Sequence, residues 1–137
     1  MIVITPRKSD RWYQLTNFGR GTFYDEYKRK WLTSEHYFQA SKFFESEPEY
    51  AEKIRLAPSP WQAKQLGKDP RHVLPQDWEE RKYDCMLEAN RKRFQNVAMR
   101  ELLLSTGDKY LQFNSECYWG GEINAFGMIL MKIQSKL

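Results

Sequence analysis

The chain holds only two cysteines, Cys85 and Cys117, and two histidines, His36 and His72, among its 137 residues. The cysteines lie far apart and neither belongs to a CxxC pair. That argues against a disulfide framework or a thiol-rich zinc site, and reduced thiols in a cytosolic setting are expected. No metal or cofactor is called for by any ligand spacing. Long apolar runs are also missing: the longest late one, AFGMILM, is far too short to span a bilayer. The N-terminus MIVITPRKSD has four apolar residues and then charge, so no secretory signal is expected. A cytoplasmic location without membrane association follows as an expectation. No repeat, low-complexity tract or linker divides the sequence, and residues 1–137 read as a single domain.

Aromatic residues are plentiful. Five Trp, eight Tyr and eight Phe make up 15% of the chain. Such side chains anchor cores, and they also stack on flat ligands such as nucleobases. The formal net charge is +4, from 22 basic and 18 acidic residues, which favours anionic partners. The basic residues are nevertheless dispersed among acidic ones, as in WEERKYD and EANRKRF, a pattern that reads as a solvated helix face. No RNP motif, KH-type GxxG clamp or zinc pattern points to a dedicated nucleic-acid fold.

The first thirty residues carry few helix signals. IVIT reads as a short strand, and GRGTFYDEYKRKWLT as a small hairpin or irregular arm turning at Gly19 and Gly21. Helices then dominate. One starts at Thr33 or Ser34, either a fair N-cap. PEYAEKIRLA gives a second, with Pro48 in its first turn. SPWQAKQLGK gives a third, capped by Ser59, opened by Pro60 and stopped by Gly67. DPRHVLPQ is a loop with two prolines. A long helix begins at Asp77, whose DWEE sequence offers a capping box through Glu80. Tyr83, Leu87, Phe94 and Val97 mark its core stripe, with Met86 beside it. Trp78 lies off that stripe, so it needs another partner, and a ligand is one candidate. NVAMRELLLSTG continues or restarts the helix as far as Gly107, and KYLQFNS reads as a short extended segment. The last helix, NAFGMILMKIQSKL, places Phe126, Ile129, Leu130, Ile133 and Leu137 on one face. The fold class expected is mainly α: one compact helical domain with a short β or irregular N-terminal part.

WLTSEHYFQASKFF, residues 31–44, raises a sharper question. At 100° per residue, Glu35, Gln39 and Lys42 fall within roughly 60° of one another, one polar stripe two helical turns long. By spacing alone this is an ordinary wet helix face, with Phe38 and Phe43 flanking it. TSEHYFQASKF, however, resembles the signature TSEHYFQAxK of the NADAR, or YbiA-like, N-glycosidase family. The resemblance continues in register through LTNF (15–18), IRLAPSPWQAKQLGK (54–68), DWEERKYDCM (77–86), YWG and NAFGMILM, roughly residues 15 to 133.

The resemblance implies a mainly α, YbiA-like fold and cleavage of N-glycosidic bonds without a metal. The substrates it implies are phosphoribosylated aminopyrimidine intermediates of riboflavin synthesis or ADP-ribosylated guanine. Glu35 takes the place of the family's essential glutamate and Lys42 that of the lysine after FQA-x. Trp78 and Trp119 match pocket tryptophans, and Asn17, Gln39 and Asn124 match other polar motif positions. Taken by itself, Trp119 beside Gly120 and Gly121 reads as a core residue, and Asn124 as the N-cap of the last helix, where it can also face a phosphate. His36 points about 100° from Glu35 and reads as structural.

These residue types suit the chemistry. Both substrates join an anomeric carbon to an exocyclic amine, whose lone pair helps the furanose ring open. A neutral Lys42 can then attack that carbon and leave a hydrolysable Schiff base. The alternative is direct attack by water that Glu35 activates, with Lys42 only holding a phosphate or hydroxyl. The Schiff-base route is preferred here because exocyclic N-glycosides open readily. Two departures from the family pattern stand out: Glu116, a candidate site residue that the resemblance makes either catalytic or pocket-fixing, replaces an Asp three residues before WG, and the stretch from Trp119 to Asn124 is short. The expected partner is a small phosphorylated ribosyl-heterocycle, with ADP-ribosylated guanine in nucleic acid as an alternative and no obligate protein partner. A non-catalytic ADP-ribose or nucleotide-binding module is the reading from another class. Retention of both Glu35 and Lys42 argues against it.

Overall fold

The computed structural model describes all residues 1–137. Strand β1 (Ile2–Ile4) pairs in parallel with β4 (Leu111–Phe113), Ile2 opposite Leu111 and Ile4 opposite Phe113. Strands β2 (Phe23–Tyr24) and β3 (Lys30–Trp31) form a separate antiparallel hairpin. Six helices supply the rest: α1 (Ser34–Ser41), α2 (Pro48–Arg55), α3 (Pro60–Gly67), α4 (Trp78–Arg93), α5 (Val97–Leu104) and α6 (Ala125–Gln134). None is long and apolar enough to cross a membrane. One hydrophobic cluster joins all six helices and the strands, with Trp31, Phe43, Phe94 and Phe126 among its fully buried members.

Helix α1 is the axis of the molecule. It packs against α2, α3 and α4, and all eight of its residues are buried. The expected wet face therefore does not exist, and each polar residue needs an internal partner. Thr33 caps the helix by accepting from His36 N. The His36 ring bridges Thr33 Oγ1 (2.8 Å) and the Ala57 carbonyl (2.9 Å). A carbonyl can only accept, so Nε2 carries the proton, and burial lowers the His36 pKa and keeps the ring neutral. His36 is structural, as its direction on the helix implied. Ser34 Oγ donates to Asn17 Oδ1 at 2.7 Å and ties the N-terminal arm to the start of α1.

Several local expectations give way to longer-range contacts. The hairpin does not turn at Gly19 and Gly21. It turns at 25–29, where Asp25 Oδ1 accepts from the backbone N–H groups of Tyr27 and Arg29, and Lys28 takes a positive φ of 64°. Asp77 makes no side-chain cap because its ψ of 17° lies outside the extended region a cap requires. The core stripe of α4 stops at Phe94. Asn96 then caps α5 by accepting from Met99 N, which restarts the register and leaves Val97 69% exposed while Met99 and Leu103 are buried. Leu137 lies beyond the end of α6 and is partly exposed.

The basic run at the end of α4 is not uniformly solvated. Arg93 is fully buried, and its guanidinium donates to the carbonyls of Gln14, Leu15 and Thr16 and to Asn90 Oδ1. Those carbonyls close the 3₁₀ turn at Tyr13–Leu15, so one cation holds the arm that delivers Asn17.

Candidate active site

A cavity of about 650 Å³ opens between α1, α3, the first two turns of α4 and the segment after β4. Asn17, Glu35, Gln39, Lys42, Trp78 and Trp119 all line it. Helix α1 brings in the polar stripe: Glu35 lies in its first turn, Gln39 one turn later, and Lys42 just past its end. The Lys42 backbone is still helical (φ −59°, ψ −26°), so its side chain keeps the direction of the stripe. Glu35 is 6% exposed and Lys42 8%. A carboxyl and an amine thus converge in one largely water-excluded space.

The walls next to them are aromatic. Phe38 packs between Trp78 (ring centroids 5.5 Å apart) and Trp119 (5.7 Å). The Lys42 amine sits 5.7 Å from the Trp78 ring centre and 5.9 Å from that of Phe38. Trp78 is thereby explained: it is buried against the cavity wall, off the α4 core stripe. Asn17 is held by Ser34 and Asn90 through its Oδ1, while its Nδ2 meets only the Met86 sulfur at 2.9 Å. A thioether is a weak acceptor, so that N–H₂ remains available to a ligand.

No ion pair joins Glu35 to Lys42 or to any other residue. Glu35 Oε1 accepts from Gln39 Nε2 at 3.4 Å, and Lys42 Nζ donates to the Gly67 carbonyl at 3.3 Å. Burial raises the Glu35 pKa, opposed by the Gln39 hydrogen bond and the ammonium groups of Lys64, Lys42 and Lys68. Burial lowers the Lys42 pKa to about 8, and its attraction to Glu35 recovers only part of that. Both shifts favour the uncharged forms, because a dry site destabilises isolated charges more than these partners restore. Roughly a tenth of Lys42 is then neutral at pH 7, enough to act as a nucleophile.

Two sequence-predicted residues are elsewhere. Asn124 is fully buried in a left-handed conformation (φ 50°); it holds the N-cap position of α6 as expected, but its side chain makes no cap hydrogen bond and does not line the cavity. Its amide instead serves the open edge of β4, accepting from Phe113 N and donating to the Leu111 carbonyl. A two-stranded sheet leaves those groups unpaired, which is why Asn124 turns inward. Glu116 is exposed and does not line the cavity, whereas its neighbours Ser115 and Cys117, which hydrogen-bond to each other, do.

The sequence reading missed the α3 wall. Trp61, Lys64, Gln65 and Lys68 all line the cavity at helical spacing, with Trp61 60% exposed at the rim. Lys64 and Lys68 have no ion-pair partner, although two like charges four residues apart disfavour a helix unless an anion joins them. Their i, i+4 spacing was visible in the sequence, but the side they face was not. Lys82 and Glu79 of α4 also line the cavity and pair at 2.6 Å. No group of three or more His, Cys, Asp and Glu side chains is arranged to hold a metal ion.

A model of the NADAR domain matches residues 6–137. The sequence is 38% identical over 118 residues to the N-glycosidase YbiA of Escherichia coli K12, covering 80% of this chain and 72% of that protein. An N-glycosidase of Nostoc punctiforme is 36% identical over 116 residues, 78% of this chain and 74% of that one. The chloroplastic riboflavin biosynthesis protein PYRR of Zea mays is 32% identical over 123 residues, 78% of this chain but 20% of that longer protein. The solution structure of E. coli YbiA resembles this fold with a TM-score of 0.81 at 34% identity, covering 98% of this chain and 83% of that chain.

Proposed function

This chain belongs to the NADAR domain family, and from that premise we propose an N-glycosidase that hydrolyses the bond between ribose and an exocyclic amine in phosphoribosylated aminopyrimidines of riboflavin synthesis. The observation that carries the reading is the convergence of Glu35 and Lys42, each pushed toward its uncharged form, in one aromatic-walled cavity. The substrate class is supported by the riboflavin name of the maize relative and by the unpaired Lys64 and Lys68 beside the cavity, which suit a phosphate ester.

The chemistry proceeds as follows. The exocyclic nitrogen donates its lone pair to the anomeric carbon, Glu35 protonates the departing ring oxygen, and the furanose opens to an imine. The neutral Lys42 amine adds to that carbon. A proton passes through Glu35 from the Lys42 nitrogen to the heterocycle's nitrogen, the carbon–nitrogen bond to the heterocycle breaks, and its free amine leaves. A Schiff base now joins Lys42 to the ribose carbon. Water, deprotonated by Glu35, adds there, and Lys42 departs with a proton to give the ribose phosphate. The pair needs one proton in total, so turnover falls when both groups are protonated or neither is. Trp78 and Trp119 line the cavity that takes the heterocycle, and Asn17 Nδ2 is a donor available there. A cytoplasmic location accords with this substrate.

One observation favours a second substrate, ADP-ribosylated guanine. Beside the two lysines the cavity is lined by the exposed Trp61, an additional flat platform on which a second base could stack. Mass-spectrometric turnover on a phosphoribosylaminopyrimidine, its dephosphorylated form and an ADP-ribosyl-guanine oligonucleotide tests both readings. Release of the heterocycle from the phosphorylated pyrimidine, with kcat/KM about tenfold or more above the dephosphorylated form, is expected. Turnover confined to the oligonucleotide would transfer the proposal to the second substrate. No turnover on any of them would end it.

A further inference from the structure

We propose that Gly67, the last residue of α3, is a positioning residue that sets both reacting groups from one point, an inference that rests on the roles given above to Glu35 and Lys42. Its carbonyl receives the Lys42 amine at 3.3 Å. Its bare Cα leaves the space into which the Gln39 side chain folds: a Cβ at position 67 would lie 1.9 Å from Gln39 Oε1, 2.7 Å from Cδ and 2.9 Å from Gln39 Cβ. Gln39 is 3% exposed and its Oε1 has no hydrogen-bond partner, so that oxygen is lodged against Gly67 by shape alone. The other end of that amide donates to Glu35.

Gly67 has an ordinary negative φ, so the glycine is not there to stop the helix in a left-handed turn. It is there for proximity. The Gln39 amide end can rotate away from an added methyl, but doing so abandons Glu35. The third contact, 2.9 Å to Gln39 Cβ, needs only a shift of a few tenths of an ångström. With one N–H held by that carbonyl, the lone pair of neutral Lys42 is directed away from α3, toward the space where a sugar carbon would sit. The charged groups facing the pair from the packed elements are Lys64 and Lys68 on the α3 side and Glu79 and Lys82 on α4, and Gly67→Ala removes none of these charges.

The test is a double-mutant cycle of Gly67→Ala and Gln39→Ala, read as kcat, KM and the pH profile on a phosphoribosylaminopyrimidine, and as thermal midpoint without substrate. Gly67→Ala in the native background is expected to lower kcat about tenfold or more with KM changed much less. Its low-pH limb should move to higher pH, because losing the Gln39 hydrogen bond raises Glu35 further. In the Gln39→Ala background the same substitution should cost about twofold at most, and its effect on the midpoint should shrink with it. Effects that simply multiply in kcat and add in midpoint, with an unmoved low-pH limb, would overturn the proposal. If Gly67→Ala alone fails to fold, the double variant should fold, since the 1.9 and 2.7 Å clashes go with the amide and only the 2.9 Å contact to Cβ remains. A double variant that also fails would overturn it equally. The midpoint arm needs no turnover, so failure of the substrate assignment would leave the cycle readable.

Discussion

Lys42→Met should make the protein's stability depend on pH in a way that exposes the cost of the native lysine. The unfolded chain holds the Lys42 proton up to its ordinary 10.5, whereas the folded chain releases it near 8. Between those values the unfolded state binds more protons, so native stability rises with pH. Below the folded value the buried ammonium costs about 3 kcal/mol, an order-of-magnitude figure from the size of the shift. The variant lacks that titration. Its lost hydrogen bond to Gly67 subtracts about 1 kcal/mol at every pH. The variant's advantage should therefore be about 2 kcal/mol at pH 7 and should decline by about 2.5 kcal/mol by pH 10, ending near or below zero. Urea unfolding of both proteins at steps across that range measures this, and taking the difference removes the tyrosines and other groups they share. A difference that stays constant with pH would mean that Lys42 titrates normally, and the claim of a dry site would fall.

Glu35→Gln should abolish the proton relay while preserving the packing. Turnover should fall about 10²–10⁴-fold with substrate affinity kept, as measured by kinetics and calorimetry. The same variant should gain on the wild type as pH rises above 4.5, because the folded-state pKa of Glu35 is raised and its ionisation on that side costs native stability. Arg93→Ala should lose about 3–5 kcal/mol in denaturant unfolding by orphaning the carbonyls of Gln14, Leu15 and Thr16. A loss below about 1 kcal/mol would show that water replaces the guanidinium there.

The parts of this molecule legible in the sequence were those written in local spacing. Thr33 and Ser59 cap the helices they were expected to cap, and the i, i+4, i+7 stripe of Glu35, Gln39 and Lys42 survives as one face of α1. Trp78, off the α4 core stripe, does line the cavity, and the family resemblance supplied Trp119 and Asn17 there. What failed was set by partners distant in sequence. Helix α1 has no wet side because α2, α3 and α4 surround it, and no window of residues 31–44 contains that information. Arg93 looked like one more cation in a mixed-charge run until the 3₁₀ turn at Tyr13–Leu15 was placed beside it. Helix α3 does end at Gly67 as expected, but the close approach of Gln39 to its bare Cα depends on α1 and could not be read locally. Asn124 matched a polar motif position, yet a strand edge that could not be foreseen takes up its amide.

The central claim concerns two groups in one cavity, and sodium borohydride reads it most directly. With a phosphoribosylaminopyrimidine turning over, borohydride should reduce the Schiff base, and mass spectrometry should find the reduced sugar phosphate on the peptide bearing Lys42, absent without substrate and in Lys42→Met. Active enzyme that yields no adduct under repeated trapping, or an adduct on Lys64 or Lys68 instead, would contradict the account.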